Sequence, residues 1–249
     1  MEPNHPGLLS PEKMDGGLYH FIRENNDRGV ALCQEGEMDK AIANYDRVLS
    51  VKSDVAVVVN NRGVAWLEKR DPDRAISDFN KAIDIAPDFA APYYNRGIAW
   101  RKKKKLRPAI ADFSLALEKE PNLAEAYNNR GEAWSEKGNL AHAIADYSRA
   151  IALKPDFAAA YNNRGEAQHT QQNFDHAIAD YSRALKINPK FTIAYYNRGL
   201  SWCAQKRPNR AFGDFRRVLE LNPEHLEAHR RVSESVENGA PDLVCQEYD

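Results

Sequence analysis

The tripeptide Asn-Arg-Gly stands at residues 61–63, 95–97, 129–131, 163–165 and 197–199, each set 34 residues after the one before. Asp27-Arg28-Gly29 extends the series backward by one more period. A fixed period of this length admits few folds. Each unit is one supersecondary element that cannot bury its apolar face alone, so the units must stack and share a core. Six units, about 22–55, 56–89, 90–123, 124–157, 158–191 and 192–225, fill most of the 249 residues and leave no room for a separate globular domain. An array of this kind presents an extended surface, which points to binding and away from catalysis.

Inside each unit the spacings are helical. Twelve residues after the Gly stand Ala41, Ala75, Ala109, Ala143, Ala177 and Ala211. Four further on are the aromatics Tyr45, Phe79, Phe113, Tyr147, Tyr181 and Phe215, and three beyond these stand small or β-branched residues, Val48 through Val218. Pro87, Pro121, Pro155, Pro189 and Pro223 then mark where one helix must end before the next begins. Polar or turn-forming residues lie midway, as at Gly36, Asp71-Pro72 and Gly138-Asn139, so each unit reads as helix, short turn, helix. Tyr93, Tyr127, Tyr161 and Tyr195, with Trp66, Trp100, Trp134 and Trp202, share the same period. That placement makes them core side chains, not a stacking platform for bases or sugars.

The series Tyr127, Gly131, Trp134, Ala143, Tyr147, Ala150 and Pro155 resembles the pattern of the tetratricopeptide repeat (TPR) family, and all six units share it. The resemblance implies an all-α, right-handed superhelix (an α-solenoid) whose first helices line a concave groove for segments of partner proteins. It expects a capping helix over 226–238, with Leu226, Val232 and Val236 sealing the last repeat, a flexible start at 1–17 and a flexible acidic tail at 239–249. The near-identical units are similar to those of bacterial members.

One departure from the family pattern is informative. Before the Gly, where the family usually has Leu, stand Arg28, Arg62, Arg96, Arg130, Arg164 and Arg198. Fifteen residues after it, where an aromatic is common, stand Asp78, Asp112, Asp146, Asp180 and Asp214. The two sites lie equally far from the turn, so an antiparallel hairpin brings them level and predicts half-buried, bidentate Arg–Asp pairs within the unit. The rival partner is the base three residues after the Asp, such as Arg149 for Asp146. In the third unit Leu115 replaces that base while Arg96 and Asp112 persist, which favours the cross-hairpin pair.

Carried onto this sequence, the family's groove face holds a ladder of Asn61, Asn95, Asn129, Asn163 and Asn197, with Asp27 at its head. A carboxamide donates and accepts, so a row of them can bond the backbone of an extended peptide, or each can stitch its repeat to the neighbour. Glycosyltransferases that attach N-acetylglucosamine to Ser and Thr carry a similar ladder. The variable positions read apolar (Val57, Val64, Ile98, with Tyr94), then acidic (Glu125, Glu132, Glu136, Glu166), then apolar again (Ile193, Leu200, with Tyr196). The expected partner is a protein or peptide segment with a basic centre and apolar anchors, and the protein is expected to act as an interaction adaptor or scaffold. The lysines and arginines that clamp chaperone C-termini in some family members are replaced here by Asn, Tyr, Val and Glu.

Other classes find little support. A net charge of −1 and a pI near 6.7 give no global attraction to nucleic acid or an anionic membrane. The turn Arg101 to Arg107 is the one strong local charge, and it motivates RNA association as the alternative reading, beside self-association of a structural scaffold. His225 and His229 are four apart on a helix but lack a third ligand, and no phosphate loop or nucleophile motif occurs, so no metal, cofactor or enzymatic activity is expected. Cys33 and Cys203 occupy equivalent positions in the first and last units, too far apart to bridge, and Cys245 leaves an odd count. Thiols in a reducing compartment fit this pattern, and without an apolar leader or spanning segment a cytoplasmic location is expected.

Overall fold

A computed structural model of the protein describes residues 15–237 and 241–245. Its elements fall into two compact units, 1–133 and 134–249, divided within one helix. The first unit holds α1 (Gly16–Gln34), α2 (Met38–Val51), α3 (Ala56–Glu68), α4 (Pro72–Ile85), α5 (Ala90–Lys102), α6 (Leu106–Lys119) and most of α7 (Ala124–Glu136). The second continues with α8 (Leu140–Leu153), α9 (Ala158–Thr170), α10 (Phe174–Ile187), α11 (Thr192–Ala204), α12 (Pro208–Leu221), α13 (Leu226–Glu237) and a short 3-10 helix at Pro241–Cys245. No strand occurs among the described residues.

The 34-residue period becomes a physical register: helices start at Ala56, Ala90, Ala124, Ala158, Thr192 and Leu226, and their partners at Met38, Pro72, Leu106, Leu140, Phe174 and Pro208. Each turn closes on a residue with positive φ, either Gly (Gly36 at +81°, Gly138 at +83°) or a polar residue held there at some cost (Arg70, Lys104, Gln172, Lys206). At Arg70 the helix end is a Schellman closure, with Arg70 N–H donating to the Leu67 carbonyl at 3.1 Å and Asp71 N–H to that of Trp66 at 2.9 Å. Asp71 then caps α4 by accepting from the Arg74 amide, and Asn139 caps α8 through the His142 amide.

The core explains why the Gly recurs. Tyr45, Phe79, Phe113, Tyr181 and Phe215 are 1% exposed or less, wedged between the two helices of their own repeats. A Cβ on Gly29, Gly63, Gly97, Gly165 or Gly199 would stand 2.4–2.8 Å from that ring, so only a residue without a side chain lets the helices close. The Tyr and Trp sets expected in the core are mostly half-buried instead, and cations lie over several of their rings. Arg96, Arg164 and Arg198 lie over Tyr93, Tyr161 and Tyr195, and Arg74 sits 4.0 Å from the Trp66 ring centroid.

The ends depart from expectation. Gly16 and Gly17, expected in a flexible start, already belong to α1, which Asp15 caps; residues 1–14 of that segment lie outside the described residues. On α13, Leu226 is 81% and Val236 62% exposed, while Ala228, Arg231 and Ser235 turn inward and Val232 is half-buried. The helix seals α12 with the i, i+3, i+7 face that begins at Ala228, and Leu226 and Val236 fall on the opposite side. Within the segment expected as a flexible tail, residues 241–245 pack as a 3-10 helix and Val244 is fully buried; residues 246–249 lie outside the described residues. Cys203 and Cys245 form a disulfide with their Cα atoms 5.0 Å apart, which overturns the expectation of three free thiols. The return of the chain past α13 lies outside the repeat period, so the spacing of the cysteines could not show it.

Candidate functional site

The first helix of each repeat carries its Asn-Arg-Gly on adjacent residues, and a helix turns each of the three to a different surroundings. The Gly faces its own second helix, the Arg one edge of the hairpin, and the Asn the neighbouring first helix.

At the Arg edge, Arg62 donates Nε and Nη2 to Asp78 at 2.9 and 2.6 Å, and Arg96 to Asp112 at 2.7 Å for both. In the second unit Arg164 grips Asp180 and Arg198 grips Asp214 in the same fork, at 2.7–2.8 Å. The carboxylates are buried, with side chains 6–9% exposed, so their negative charge is compensated almost wholly by the guanidinium. These bonds hold the guanidiniums of Arg62, Arg96 and Arg164 more firmly protonated than usual, outweighing the opposite effect of burial. A third arm, Nη1, reaches the second helix of the preceding repeat: Asp46 from Arg62, Asn80 from Arg96, Ser114 from Arg130, Ser148 from Arg164 and Ser182 from Arg198. Asp146 is buried like its counterparts.

On the first-helix face the carboxamides are half-exposed and already engaged. Asn95 Nδ2 donates to Asn60 Oδ1 at 2.9 Å, Asn60 Nδ2 to Asn61 Oδ1 at 3.3 Å, and Asn61 Nδ2 to Asn26 Oδ1 at 2.9 Å. Asn129 finds the Tyr94 hydroxyl at 2.7 Å, and Asn197 finds Asn162 Oδ1 at 3.4 Å. Asn162 in turn donates to Asn163 Oδ1 at 3.4 Å. Each Nδ2 of Asn61, Asn95, Asn129 and Asn197 therefore stitches its helix to the preceding first helix, and each carboxamide oxygen keeps acceptor capacity. The sequence could not choose this direction, because Asn60 and Asn61 are chemically identical and only the helix phase separates their surroundings.

Around this row the variable residues divide by unit. In the first, Val57 is buried, whereas Val64, Ile98 and Tyr94 are half-exposed. Burial, with the nearby Glu125 adding to it, raises the pKa of the Tyr94 phenol, whose hydroxyl accepts the Asn129 bond. Glu132 is met by Arg101 Nη1 and accepts from Asn128 Nδ2 at 2.8 Å, so this carboxylate is compensated from within. Arg101 thus belongs to this face, and Lys103 pairs with Asp73, leaving a smaller free charge on the Arg101 to Arg107 turn than its sequence suggests. In the second unit Glu166 is exposed, Ile193 is 51% exposed, and Tyr196 and Leu200 are half-buried. Tyr196 packs on Phe215 and on His225, with ring centroids 5.5 and 4.9 Å away. His225 Nδ1 also accepts from the Ala228 amide at 3.2 Å and caps α13, so this imidazole has a structural task. No group of three or more potential metal ligands occurs among the described residues, and no helix among them is long and apolar enough to cross a membrane.

Repeated helix hairpins, each with a glycine–aromatic wedge and a polar ladder between first helices, define a helical-repeat protein. Family models described as tetratricopeptide repeat match residues 26–90, 158–191 and 192–225, and one described as TPR repeat matches 135–172. The chain belongs to the tetratricopeptide repeat family, whose members are scaffolds for protein–protein interaction. No curated protein matches it significantly. Solved structures with a similar fold include PilF of Pseudomonas aeruginosa, with a TM-score of 0.78 and 14% identity over 88% of this chain and 99% of that one. Another is YrrB, described as a TPR protein with an unusual peptide-binding site, with a TM-score of 0.62, 18% identity, and coverage of 75% and 96%. MamA is 26% identical, with a TM-score of 0.59 and coverage of 65% and 95%.

Proposed function

We propose that the protein is an adaptor that holds an extended segment of a partner protein along its first helices. The observation carrying this reading is the row of Asn61, Asn95, Asn129 and Asn197, half-exposed and fixed in direction by bonds to the preceding helix. Side chains already immobilised lose little conformational entropy when a ligand arrives, and their remaining lone pairs suit backbone N–H groups whatever the ligand's sequence. Selectivity comes from the flanking residues of each unit: in the first, Val64 and Ile98 offer apolar contact; in the second, Ile193 does so and the exposed Glu166 favours a basic residue. Glu132, already compensated by Arg101, contributes less to that preference. The YrrB description, with its peptide-binding site, agrees with this use of the fold.

Selection of random displayed peptides on the wild-type protein tests the reading. Selected peptides should lose about tenfold or more in affinity, roughly 1.4 kcal/mol, for a variant carrying Asn197→Ala and Ile193→Asp that retains its helical circular dichroism. Unchanged affinities for that variant and for an Asn61→Ala, Asn95→Ala variant would remove the first-helix face as the site. RNA association through the basic turn is the competing outcome, recognised by binding that weakens steeply with salt.

A further inference from the structure

We propose that Cys203 and Cys245 form a reversible thiol–disulfide site, a clasp that fastens residues 241–245 over the end of the second unit and releases them when reduced. Cys203 lies near the end of α11, and Cys245 closes the 3-10 helix that follows α13. The fastened segment completes an apolar cluster: Val244 is fully buried with Ala211, Phe215, Val218 and Ala228. Arg231 Nη1 donates to the Val244 carbonyl at 3.1 Å, and Cys203 Sγ lies 3.8 Å from the same oxygen.

Two features make this bond a switch and not a sealed staple. First, both cysteines are half-exposed and line an open cavity of about 600 Å³, whose walls include His169, Phe174, Tyr196 and Leu200. A small thiol reaches the sulfurs from that side. Second, the segment is short and lies at the end of the described chain, so the bond is the covalent part of what holds it. A five-residue 3-10 helix is too short to be stable by itself, so its place against α12 and α13 depends on tertiary contacts, among them buried Val244, the Arg231 bond and the disulfide. Release removes Cys245 from the cavity wall and uncovers Ala228 and Val218.

The chemistry needs a dithiol reductant. One thiolate attacks a sulfur of the bridge, breaks the S–S bond and forms a mixed disulfide; the second thiolate displaces the remaining protein sulfur. The reductant leaves as a disulfide having given up two electrons, and Cys203 and Cys245 end as thiols with the two protons it carried. Cys33, at the equivalent position of the first repeat, sits beside the Tyr45 hydroxyl with Sγ 3.9 Å away and serves as an internal reference.

The full chain, equilibrated with glutathione disulfide and then treated or not treated with dithiothreitol, provides the test. After denaturation, iodoacetamide should label one of the three cysteines, Cys33, in the oxidised protein and all three in the reduced protein. Amide exchange at 243–245 should accelerate at least about tenfold on reduction while α9 and α10 remain protected. Cys245→Ser should show the fast exchange without reductant, and Cys33→Ser should behave as wild type. Labelling of all three cysteines after oxidation, or equal protection of 243–245 in both states with Cys245→Ser also protected, would overturn the proposal. Circular dichroism separates segment release from unfolding: if Cys245→Ser loses its helical signal, the bond is a folding staple and the switch is refuted.

Discussion

Alanine at two glycines of the second unit should have opposite effects, and the structure supplies both signs. Gly165 faces the ring of Tyr181, and a Cβ built there lies 2.8, 3.0 and 3.1 Å from three ring carbons. Ordinary contact begins near 3.4 Å, so the ring must retreat by about half an ångström or more, yet Tyr181 is 1% exposed and enclosed. Overpacking of this kind costs about 1–3 kcal/mol, while replacing a mid-helix Gly with Ala returns about 0.5–1 kcal/mol of helix propensity. The expected net loss for Gly165→Ala is about 1–2 kcal/mol, which for a chain of this size lowers Tm by about 2–8 °C. Gly213 lies inside α12 with nothing within 4 Å of its Cβ position, so Gly213→Ala keeps only the propensity gain and should raise Tm by about 1–4 °C. Thermal melts of both variants, with a Gly165→Ala, Tyr181→Leu double mutant, form the assay. The Gly165→Ala penalty should largely vanish in the Tyr181→Leu background. A Gly165→Ala protein as stable as Gly213→Ala, or a penalty unchanged by Tyr181→Leu, would refute the wedge.

Three further outcomes are expected. Arg164→Ala strands the buried carboxylate of Asp180 and should cost about 3–5 kcal/mol in urea melts, whereas Arg164→Met with Asp180→Leu should be close to neutral. Lys206 holds φ at +56° in an exposed turn, so Lys206→Gly should stabilise by about 1 kcal/mol, read as a higher denaturation midpoint. Burial lowers the pKa of His169 from its ordinary 6.5. The unfolded chain therefore takes up that proton first, and stability drains as pH falls from about 7 through 6.5 toward the folded value. A His169→Gln variant should show a shallower loss of Tm over that range, and an identical slope would contradict the assignment.

What the sequence discloses is what repeats. The 16-residue step from Gly165 to Tyr181 recurs in every unit, and the equal step from Arg164 to Asp180 recurs in all but the first, where Asn44 stands in place of the Asp, because one hairpin geometry imposes both. Residues that act once are harder to see. Nothing periodic marks Val244 or the partner of Cys203, since the chain there has left its register. The phase of α13 is hidden for a related reason: Leu226 and Val236 have the apolar character of sealing residues, but the position of α12 turns the Ala228 face inward and leaves both exposed. Arg101 and Glu132 lie 31 residues apart on neighbouring first helices, a spacing that a reading of each unit alone does not connect. The direction of the Asn side chains depends on helix phase and not on composition, so their bonds to the preceding helix are not legible in the sequence.

The third arm of each arginine gives the array a polarity. Arg62, Arg96, Arg164 and Arg198 all reach toward the preceding repeat, never the following one. Peeling away a repeat on the C-terminal side carries its arginine off and leaves behind only a Ser, Asn or Asp side chain that water solvates readily. Peeling from the other side leaves a half-buried cation short of a bond. Unravelling is therefore asymmetric, easier from the C-terminal edge inward, and native-state hydrogen exchange should record protection declining from α9 toward α13. The single covalent cross-link of the described chain stands at that more yielding edge, where it limits how far a fluctuation can run.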